Sequence, residues 1–120
     1  MVFSERPKRK TPDEFFKSLG NHDDFVFNVY NTNTFKRNVR VCYKRNLDLD
    51  LLEKVIIKLA KNEELSVNNF PHPLKGCKKK KDEEVMECHV QPDWLLVWTQ
   101  NDDELILLLT NTGTHSDLFG

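Results

Sequence analysis

Three of the four histidines, His72, His89 and His115, fall in the last 49 residues of the chain, together with Asp93 and Asp117. Histidine changes its charge near neutral pH, so two neighbouring histidines can act as general base and general acid in one reaction. Cleavage of RNA without a metal ion needs such a pair, since one group takes the proton of the 2′-hydroxyl and another protonates the leaving 5′-oxygen. Histidines are also common in ordinary loops and strands, so spacing alone leaves both interpretations open.

Possible metal ligands lie in the same region, because Cys77 and Cys88 accompany the histidines. No C-x₂-C or H-x₃-H spacing occurs in the sequence, although structural zinc sites usually have one. Cys88 and His89 are also adjacent in a predicted strand, so their side chains should point to opposite faces. We therefore predict no metal site and no cofactor. Three cysteines are an odd number, which argues against a disulfide framework and favours a reducing cytoplasm.

Two further features are typical of RNA binding, but also of ordinary protein surfaces and cores. A run of lysines would either bind phosphates as point charges or form a solvated loop; it consists of Lys78, Lys79, Lys80 and Lys81. Trp94 fits a hydrophobic core as well as a surface that stacks on bases. Phe119 lies next to the last residue, where a bulky aromatic side chain has little core to enter, so it is a candidate for base stacking.

The elements that must position these residues begin with two predicted helices. The first follows a cap at Thr32 or Thr34, and the second begins at Asp50 and ends near Asn62. Both have apolar residues at helical spacing, so each should bury one face. The buried residues that we predict are Phe35, Val39, Cys42 and Tyr43 in the first helix and Leu52, Val55, Ile56 and Leu59 in the second.

Four segments are predicted strands, because they are rich in β-branched, aromatic and other apolar residues. They span residues 25–30, 85–90, 94–98 and 105–109, and residues 110–120 are predicted to form a short polar tail. The last three strands follow one another closely, as in an antiparallel meander. The fold class that we predict is α+β, with two helices packed on a sheet of about four strands.

Residues 1–24 are predicted to be an N-terminal appendage to a domain at residues 25–120. A short helix after Thr11 has a complete capping box with Glu14, and Gly20 suits its end. A helix this short is marginal by itself, so it must either fray or dock through its apolar residues, which are Phe15, Phe16 and Leu19.

The chain is nearly neutral, with 18 Lys and Arg against 19 Asp and Glu, but its charge is unevenly distributed. Residues 1–46 contain 10 basic and 5 acidic side chains, whereas residues 47–120 contain 8 and 14. This asymmetry permits a nucleic-acid partner without requiring one. The longest apolar run, residues 105–109, is far shorter than the roughly 18 residues of a membrane span, and the first residues lack the apolar segment of a secretory signal. We therefore expect no membrane partner and a cytoplasmic location.

Three blocks of sequence resemble one protein family. They are HPLKG at residues 72–76, ECHVQPDWLLV at residues 87–97 and TGTHSDLF at residues 112–119. Their order and spacing resemble the YafQ branch of the RelE toxins, which are mRNA endonucleases of bacterial type II toxin–antitoxin pairs. The resemblance covers about residues 25–120. It implies a compact RelE-like domain that enters the ribosomal A site and cuts mRNA, leaving a 2′,3′-cyclic or 3′-phosphate and a 5′-hydroxyl.

The resemblance also implies an active site. The positions that match the family's active-site set are His72, His89, Asp93, Trp94, His115 and Phe119. By that resemblance, His89 would share the acid–base work with His115 or Asp93. His72 would help to place the phosphate, and Phe119 would contact a base. Trp94 would bind the substrate, and so would the lysine run in its functional interpretation, although the run is not part of the resemblance. The sequence leaves open which residue is the base and which the acid.

The sequence departs from the family pattern at two positions. Met86 and Asn111 stand where the family usually has arginines. Two positive charges are therefore missing beside a phosphate that becomes more negative during cleavage. An insertion around residues 77–84 brings the lysine run with it. Either these lysines supply the missing charge, or the protein is a weak or silenced toxin.

The partners implied by the resemblance are a cognate antitoxin, mRNA on the ribosome, and operator DNA only through the antitoxin complex. The alternative is a catalytically impaired toxin homologue that acts as a binding module for the antitoxin and operator DNA. Met86 and Asn111 favour this alternative, whereas the histidines and Phe119 favour an endoribonuclease.

Overall fold

The computed structural model describes residues 9–20, 22–74 and 83–119, with Glu83 described by its backbone alone. Its helices are α1 (Pro12–Ser18), α2 (Asn33–Lys44), α3 (Leu49–Ala60) and α4 (His115–Phe119). Its strands are β1 (Asn28–Asn31), β2 (His72–Pro73), β3 (Glu83–Gln91), β4 (Trp94–Asn101) and β5 (Ile106–Gly113), and a 3₁₀ turn spans Val67–Asn69. No helix in these ranges is long and apolar enough to cross a membrane.

The strands form one mixed sheet in the order β1-β5-β4-β3-β2. The predicted α+β class and the antiparallel meander of β3, β4 and β5 are confirmed. Within the described residues the sheet has five strands rather than about four, because β2, a strand of two residues, is too short for a sequence pattern to reveal. β1 forms the opposite edge and runs parallel to β5. The residues predicted as a polar tail instead complete β5 and form α4.

Both long helices begin at a capping side chain and bury the predicted apolar face. The Thr32 hydroxyl accepts a hydrogen bond from the Phe35 amide at 3.1 Å, and the Asp48 carboxylate accepts one from the Asp50 amide at 3.0 Å. Such caps satisfy backbone donors that the first helical turn leaves free. α3 therefore begins at Leu49, within one residue of the prediction.

The two long helices cover one face of the sheet, which we call the helix-covered face, and they enclose the core there. Side chains alternate along a strand, and those on this face are buried. They are Cys88 in β3, Trp94, Leu96 and Trp98 in β4, and Leu107 and Leu109 in β5. They pack with the buried helical residues, among them Phe35, Val39, Leu52 and Ile56.

α1 docks on the same core, as its short length requires. Phe15 is completely buried, and its ring centroid lies 6.4 Å from that of Phe35 in α2. Just before the helix, Lys10 forms ion pairs with Asp50 and Glu53 of α3. Residues before position 25 therefore contribute to the core, although the family resemblance does not reach them.

Candidate active site

The strand register brings the candidate residues to the other face of the sheet, which we call the open face. Paired residues of neighbouring strands have their side chains on the same face. One row of paired residues consists of His72, Glu87, Val97 and Asn111. The next row on this face consists of His89, Leu95 and Gly113. α4 begins two residues after Gly113, so the register also brings His115 to the end of this second row.

Four aromatic rings form a continuous series at the open face, and we call it the aromatic row. The ring centroids of Phe70 and His89 are 5.9 Å apart, those of His89 and His115 are 6.4 Å apart, and those of His115 and Phe119 are 5.7 Å apart. The two histidines are central in this row. Sequence reasoning missed Phe70, whose only signal is its position two residues before His72.

Two contacts orient His89. Its Nδ1 lies 3.2 Å from the carbonyl oxygen of Pro92, and the side-chain amide of Asn69 donates to the His89 carbonyl oxygen at 2.6 Å. A carbonyl oxygen can only accept, so the ring contact is a hydrogen bond when Nδ1 carries the hydrogen. In the neutral ring, Nε2 then has the lone pair and can accept a proton.

His72 lies against a buried carboxylate. Its Nδ1 is 2.7 Å from the carbonyl oxygen of Phe70, and its Nε2 is 3.2 Å from Oε1 of Glu87. Glu87 is only 4% exposed, and its Oε2 has no hydrogen-bond partner among the described residues. Both ring nitrogens of His72 thus face oxygen atoms, and these contacts fix the orientation of the ring. Sequence reasoning missed Glu87, because only the pairing of β2 with β3 places it beside His72.

α4 positions His115 and Phe119, which lie four residues apart and therefore on one side of this short helix. The helix begins with a reciprocal cap. The Asp117 amide donates to the Thr114 hydroxyl at 3.1 Å, and the Thr114 amide donates to the Asp117 carboxylate at 2.9 Å. Arg45, directly after α2, donates to the same carboxylate at 2.6 Å. The Arg45 guanidinium and then the Thr114 amide lower the pKa of Asp117 to about 2, so Asp117 is an ionised anchor for α4.

Asp93 and Trp94 differ in their access to a substrate. Asp93 is exposed in the turn between β3 and β4, four residues after His89. Trp94 is only 1% exposed, and its indole donates to the Thr112 hydroxyl at 2.9 Å within the core. This burial corrects the substrate-binding role that the resemblance implied for Trp94, because a buried ring offers no face to a base.

The two missing arginines fall on different faces of the sheet. Met86 pairs with Trp98 and packs against the helix-covered core. Asn111 is on the open face. Its amide nitrogen lies 3.5 Å from the side-chain oxygen of Asn38. Together with Phe119, it borders a groove of about 390 Å³. The departure that bears on the candidate site is therefore Asn111. The predicted phosphate-binding lysines, which are Lys78, Lys79, Lys80 and Lys81, lie outside the described residues.

Within the described residues, no group of three or more His, Cys, Asp or Glu side chains is arranged to hold a metal ion. Cys88 is completely buried, and burial raises the pKa of its thiol to about 12. Because the thiolate is the form that binds metals, Cys88 serves as a core residue at neutral pH. Cys77, the other cysteine among the possible ligands, lies outside the described residues.

Comparison with known protein sequences identifies relatives of the chain. Residues 27–120 match a family described as the bacterial toxin of type II toxin–antitoxin system, YafQ. The mRNA interferase toxin YafQ of Escherichia coli strain K12 is 32% identical to this chain over 87 residues, which are 72% of this chain and 88% of that protein.

Solved structures resemble the chain in fold. A chain of the E. coli DinJ–YafQ toxin–antitoxin complex is 29% identical and has a TM-score of 0.70, with 79% of this chain and 99% of that chain covered. A metal-bound toxin from Helicobacter pylori is 36% identical, also with a TM-score of 0.70, and the match covers 76% of this chain and 97% of that chain.

Proposed function

The chain belongs to the YafQ family of toxins from bacterial type II toxin–antitoxin systems, and we propose that it is an mRNA interferase, an endoribonuclease that cuts mRNA on the ribosome. The observation that carries the proposal is the aromatic row, in which the rings of His89 and His115 are 6.4 Å apart at an accessible face. Two titratable rings at this spacing suit a reaction that removes one proton and returns another. The E. coli K12 relative, an mRNA interferase toxin, supports the same activity.

In this mechanism His89 is the general base and His115 the general acid. Nε2 of His89 takes the proton of a 2′-hydroxyl, and the 2′-oxygen forms a bond to phosphorus. The bond from phosphorus to the 5′-oxygen breaks, and His115 donates its proton to that oxygen, which leaves a 2′,3′-cyclic phosphate and a 5′-hydroxyl. The contact with Pro92 supports the role of His89, because it directs the lone pair of the neutral ring to Nε2. Asp93 is the alternative partner for the proton transfers.

Two further side chains place the substrate. His72 helps to hold the phosphate, and the Glu87 carboxylate, 3.2 Å from Nε2, fixes the orientation of its ring. Glu87 touches no substrate in this mechanism, so it is a positioning residue. Phe119 is 53% exposed at one end of the aromatic row, where it contacts a base beside the point of cleavage.

Positive charge must hold the substrate, because RNA is a polyanion. α2 exposes Arg37, Arg40 and Lys44, and Arg45 directly after it contacts α4. The lysines at residues 78–81 add to this charge. A cognate antitoxin neutralises the toxin, as the E. coli DinJ–YafQ complex suggests by similarity, and operator DNA is bound only through that antitoxin.

A second candidate function is that of a catalytically impaired homologue, which binds the antitoxin and operator DNA. Asn111 favours this alternative, because it replaces an arginine at the open face and puts an uncharged amide near Phe119. Loss of one preorganised donor commonly costs about 10²- to 10³-fold in rate. The two candidates differ in whether the toxin cuts RNA.

The test in cells is to express the chain without an antitoxin and to map the 5′ ends of mRNA. We expect new 5′-hydroxyl ends within translated regions. The His89→Ala variant should lower cleavage about 10²- to 10⁴-fold. The matched control is His22→Ala, because the ring of His22 stacks on Phe25 outside the aromatic row, and it should cleave as the wild type does.

Purified protein then tests whether the reaction needs a metal ion. Single-turnover cleavage of naked RNA should persist in excess chelator. Equal cleavage by His89→Ala and His22→Ala would show that the assignment of the site is wrong. Activity that vanishes in chelator and returns with zinc or manganese would overturn the metal-free mechanism.

A further inference from the structure

Phe70 is held in an exposed position that folding alone does not explain. Its side chain is 64% exposed, and its backbone has a φ of 45°, a left-handed conformation that bulky residues rarely adopt. Hydrogen bonds fix this turn. The Ser66 hydroxyl accepts from the Asn68 amide at 3.3 Å, the Phe70 amide donates to the Val67 carbonyl at 3.2 Å, and the Phe70 carbonyl accepts from His72 Nδ1 at 2.7 Å.

A cavity of about 610 Å³ lies beside the Phe70 ring, and we call it the Phe70 cavity. Its lining includes the aromatic residue Phe70 and two residues with amide side chains, Asn68 and Gln91. His89 also lines it, so an occupant of the cavity would contact a residue of the proposed catalytic pair. The volume is within the range of small-molecule sites, which typically hold about 300–1,000 Å³.

We infer that the Phe70 cavity binds an unpaired base of the RNA, next to the phosphodiester that is cut, with the Phe70 ring as its stacking partner. This inference rests on the proposed endoribonuclease function and adds a second base site to the one at Phe119. It also names the place where sequence preference arises, because the amides of Asn68 and Gln91 offer both donors and acceptors to a base edge.

The order of the rings in the aromatic row supports this assignment. The two histidines are central, with Phe70 beside His89 and Phe119 beside His115. A phosphodiester held between the histidines has one nucleotide on its 5′ side and one on its 3′ side. One exposed phenylalanine is therefore available for each neighbouring base. Single-stranded RNA is commonly held by aromatic rings of this kind.

The experiment measures binding without cleavage. A short fluorescent RNA with one 2′-deoxynucleotide at the cleavage point lacks the nucleophile, so its affinity for the full chain can be measured by polarisation. Phe70→Ala should weaken this binding about 5- to 100-fold, the range of one base–aromatic stack. A set of such RNAs, each with one abasic nucleotide, then identifies the base concerned. Removal of that base should weaken binding to the wild type by the same factor as Phe70→Ala does. In Phe70→Ala, removal of the same base should change the affinity less than about twofold.

Matched variants separate stacking from other effects. Phe70→Trp should restore binding, since tryptophan also stacks. Val67→Ala should leave it unchanged, because Val67 is 83% exposed in the same turn but does not line the cavity. In Phe119→Ala, the abasic nucleotide that loses its effect on the affinity should be the one on the other side of the cleavage point. Thermal unfolding of each variant controls for loss of the fold.

The inference is overturned if Phe70→Ala binds the RNA as the wild type does, including the case in which it weakens only antitoxin binding. It is also overturned if the effect of each abasic position is the same in the wild type and in Phe70→Ala. Failure of the proposed function would give a different result. The same RNA with its 2′-hydroxyl restored would then stay uncut, but the loss of one base would still weaken binding to the wild type and not to Phe70→Ala.

Discussion

The two faces of the sheet differ in the kinds of residue that they bury. On the helix-covered face, Cys88, Leu96 and Trp98 are apolar or nearly so, and they pack with α2 and α3. On the open face, Glu87 is also buried, yet one of its carboxylate oxygens lacks a hydrogen-bond partner among the described residues. Phe119 is exposed on the same face. A buried carboxylate and exposed aromatic rings add little stability to an isolated protein, which is consistent with the binding role proposed for the open face.

Adjacent residues of β3 explain how one sequence produces both faces. Side chains alternate across a strand, so Cys88 enters the core while His89, the next residue, joins the aromatic row. A shift of the register by one residue would exchange the two. The same pairing that stabilises the sheet therefore also determines which residues can react.

The largest predicted effect concerns stability on the helix-covered face. Leu96 is completely buried there, so Leu96→Ala leaves a cavity and should lower the free energy of unfolding by about 2–5 kcal/mol. Urea denaturation measures this change. The single-turnover cleavage rate of the folded variant should match that of the wild type, because the core does not contact the RNA.

Leu95→Ala is the matched variant on the open face. Leu95 is also completely buried, but it pairs with His89. Its truncation should destabilise the fold and also slow cleavage, since the support of the His89 side chain is altered. Equal cleavage rates for the two folded variants would show that the faces are not functionally distinct.

The next effect concerns the missing arginines, which lie on opposite faces. Asn111→Arg should raise single-turnover cleavage about 10²-fold, because it returns a positive charge to the open face. Met86→Arg should instead lower stability without raising cleavage, since Met86 packs against the core.

The lysines at residues 78–81 provide the alternative source of charge. If they compensate, Asn111→Arg should have little effect, and neutralising all four lysines together should abolish cleavage at saturating RNA. An increase from Met86→Arg but not from Asn111→Arg would mean that the two side chains are assigned to the wrong faces.

A smaller effect is predicted for the positioning residue on the open face. Glu87→Gln should slow cleavage, but it should slow it no further in a His72→Ala background, because Glu87 acts through His72. The coupling energy from this double-mutant cycle should be about 1–3 kcal/mol. Glu64→Gln, an exposed substitution, is the control. Additive effects of Glu87→Gln and His72→Ala would contradict the positioning role.

The sequence predicted the elements whose signals are local. Both long helices have caps and apolar residues at helical spacing, and the meander consists of three apolar segments in succession, so their existence could be inferred without any tertiary contact. The histidines of the site were found by residue type and by resemblance. Phe70 and Glu87 could not be found in this way, because their roles depend on β2 and its turn, which are too short to have a periodic pattern.

The misassignment of Trp94 has a different cause. Trp94, Leu96 and Trp98 alternate along β4 and all lie in the core. Residues 94–98 are apolar at every position, and such a run in a strand predicts burial for Trp94. The resemblance to an active-site block outweighed it, although a residue can be characteristic of such a block because it supports the neighbouring strand.

The smallest predicted effect concerns the link between the two faces. Arg45 follows α2, which packs on the helix-covered face, and it binds Asp117 of α4 at the open face. The Arg45 guanidinium and then the Thr114 amide lower the pKa of Asp117 from 3.8 to about 2. A carboxyl group whose pKa is lower in the folded protein contributes its full stabilisation above the unfolded pKa, here 3.8, and loses it as the pH falls toward 2.

Asp117→Asn removes this titration, so between about pH 4 and pH 2 the free energy of unfolding should fall more steeply for the wild type than for the variant. The difference should be below about 1 kcal/mol, because partly exposed ion pairs are weak. Asp24→Asn is the matched control, since Lys61 lowers the pKa of Asp24 at a site outside α4. At neutral pH, Asp117→Asn should also loosen α4 and slow cleavage through His115 and Phe119, whereas Asp24→Asn should not. Equal acid dependence of the wild type and Asp117→Asn, or equal cleavage by the two variants, would contradict the inference that this ion pair holds α4 in place at the open face.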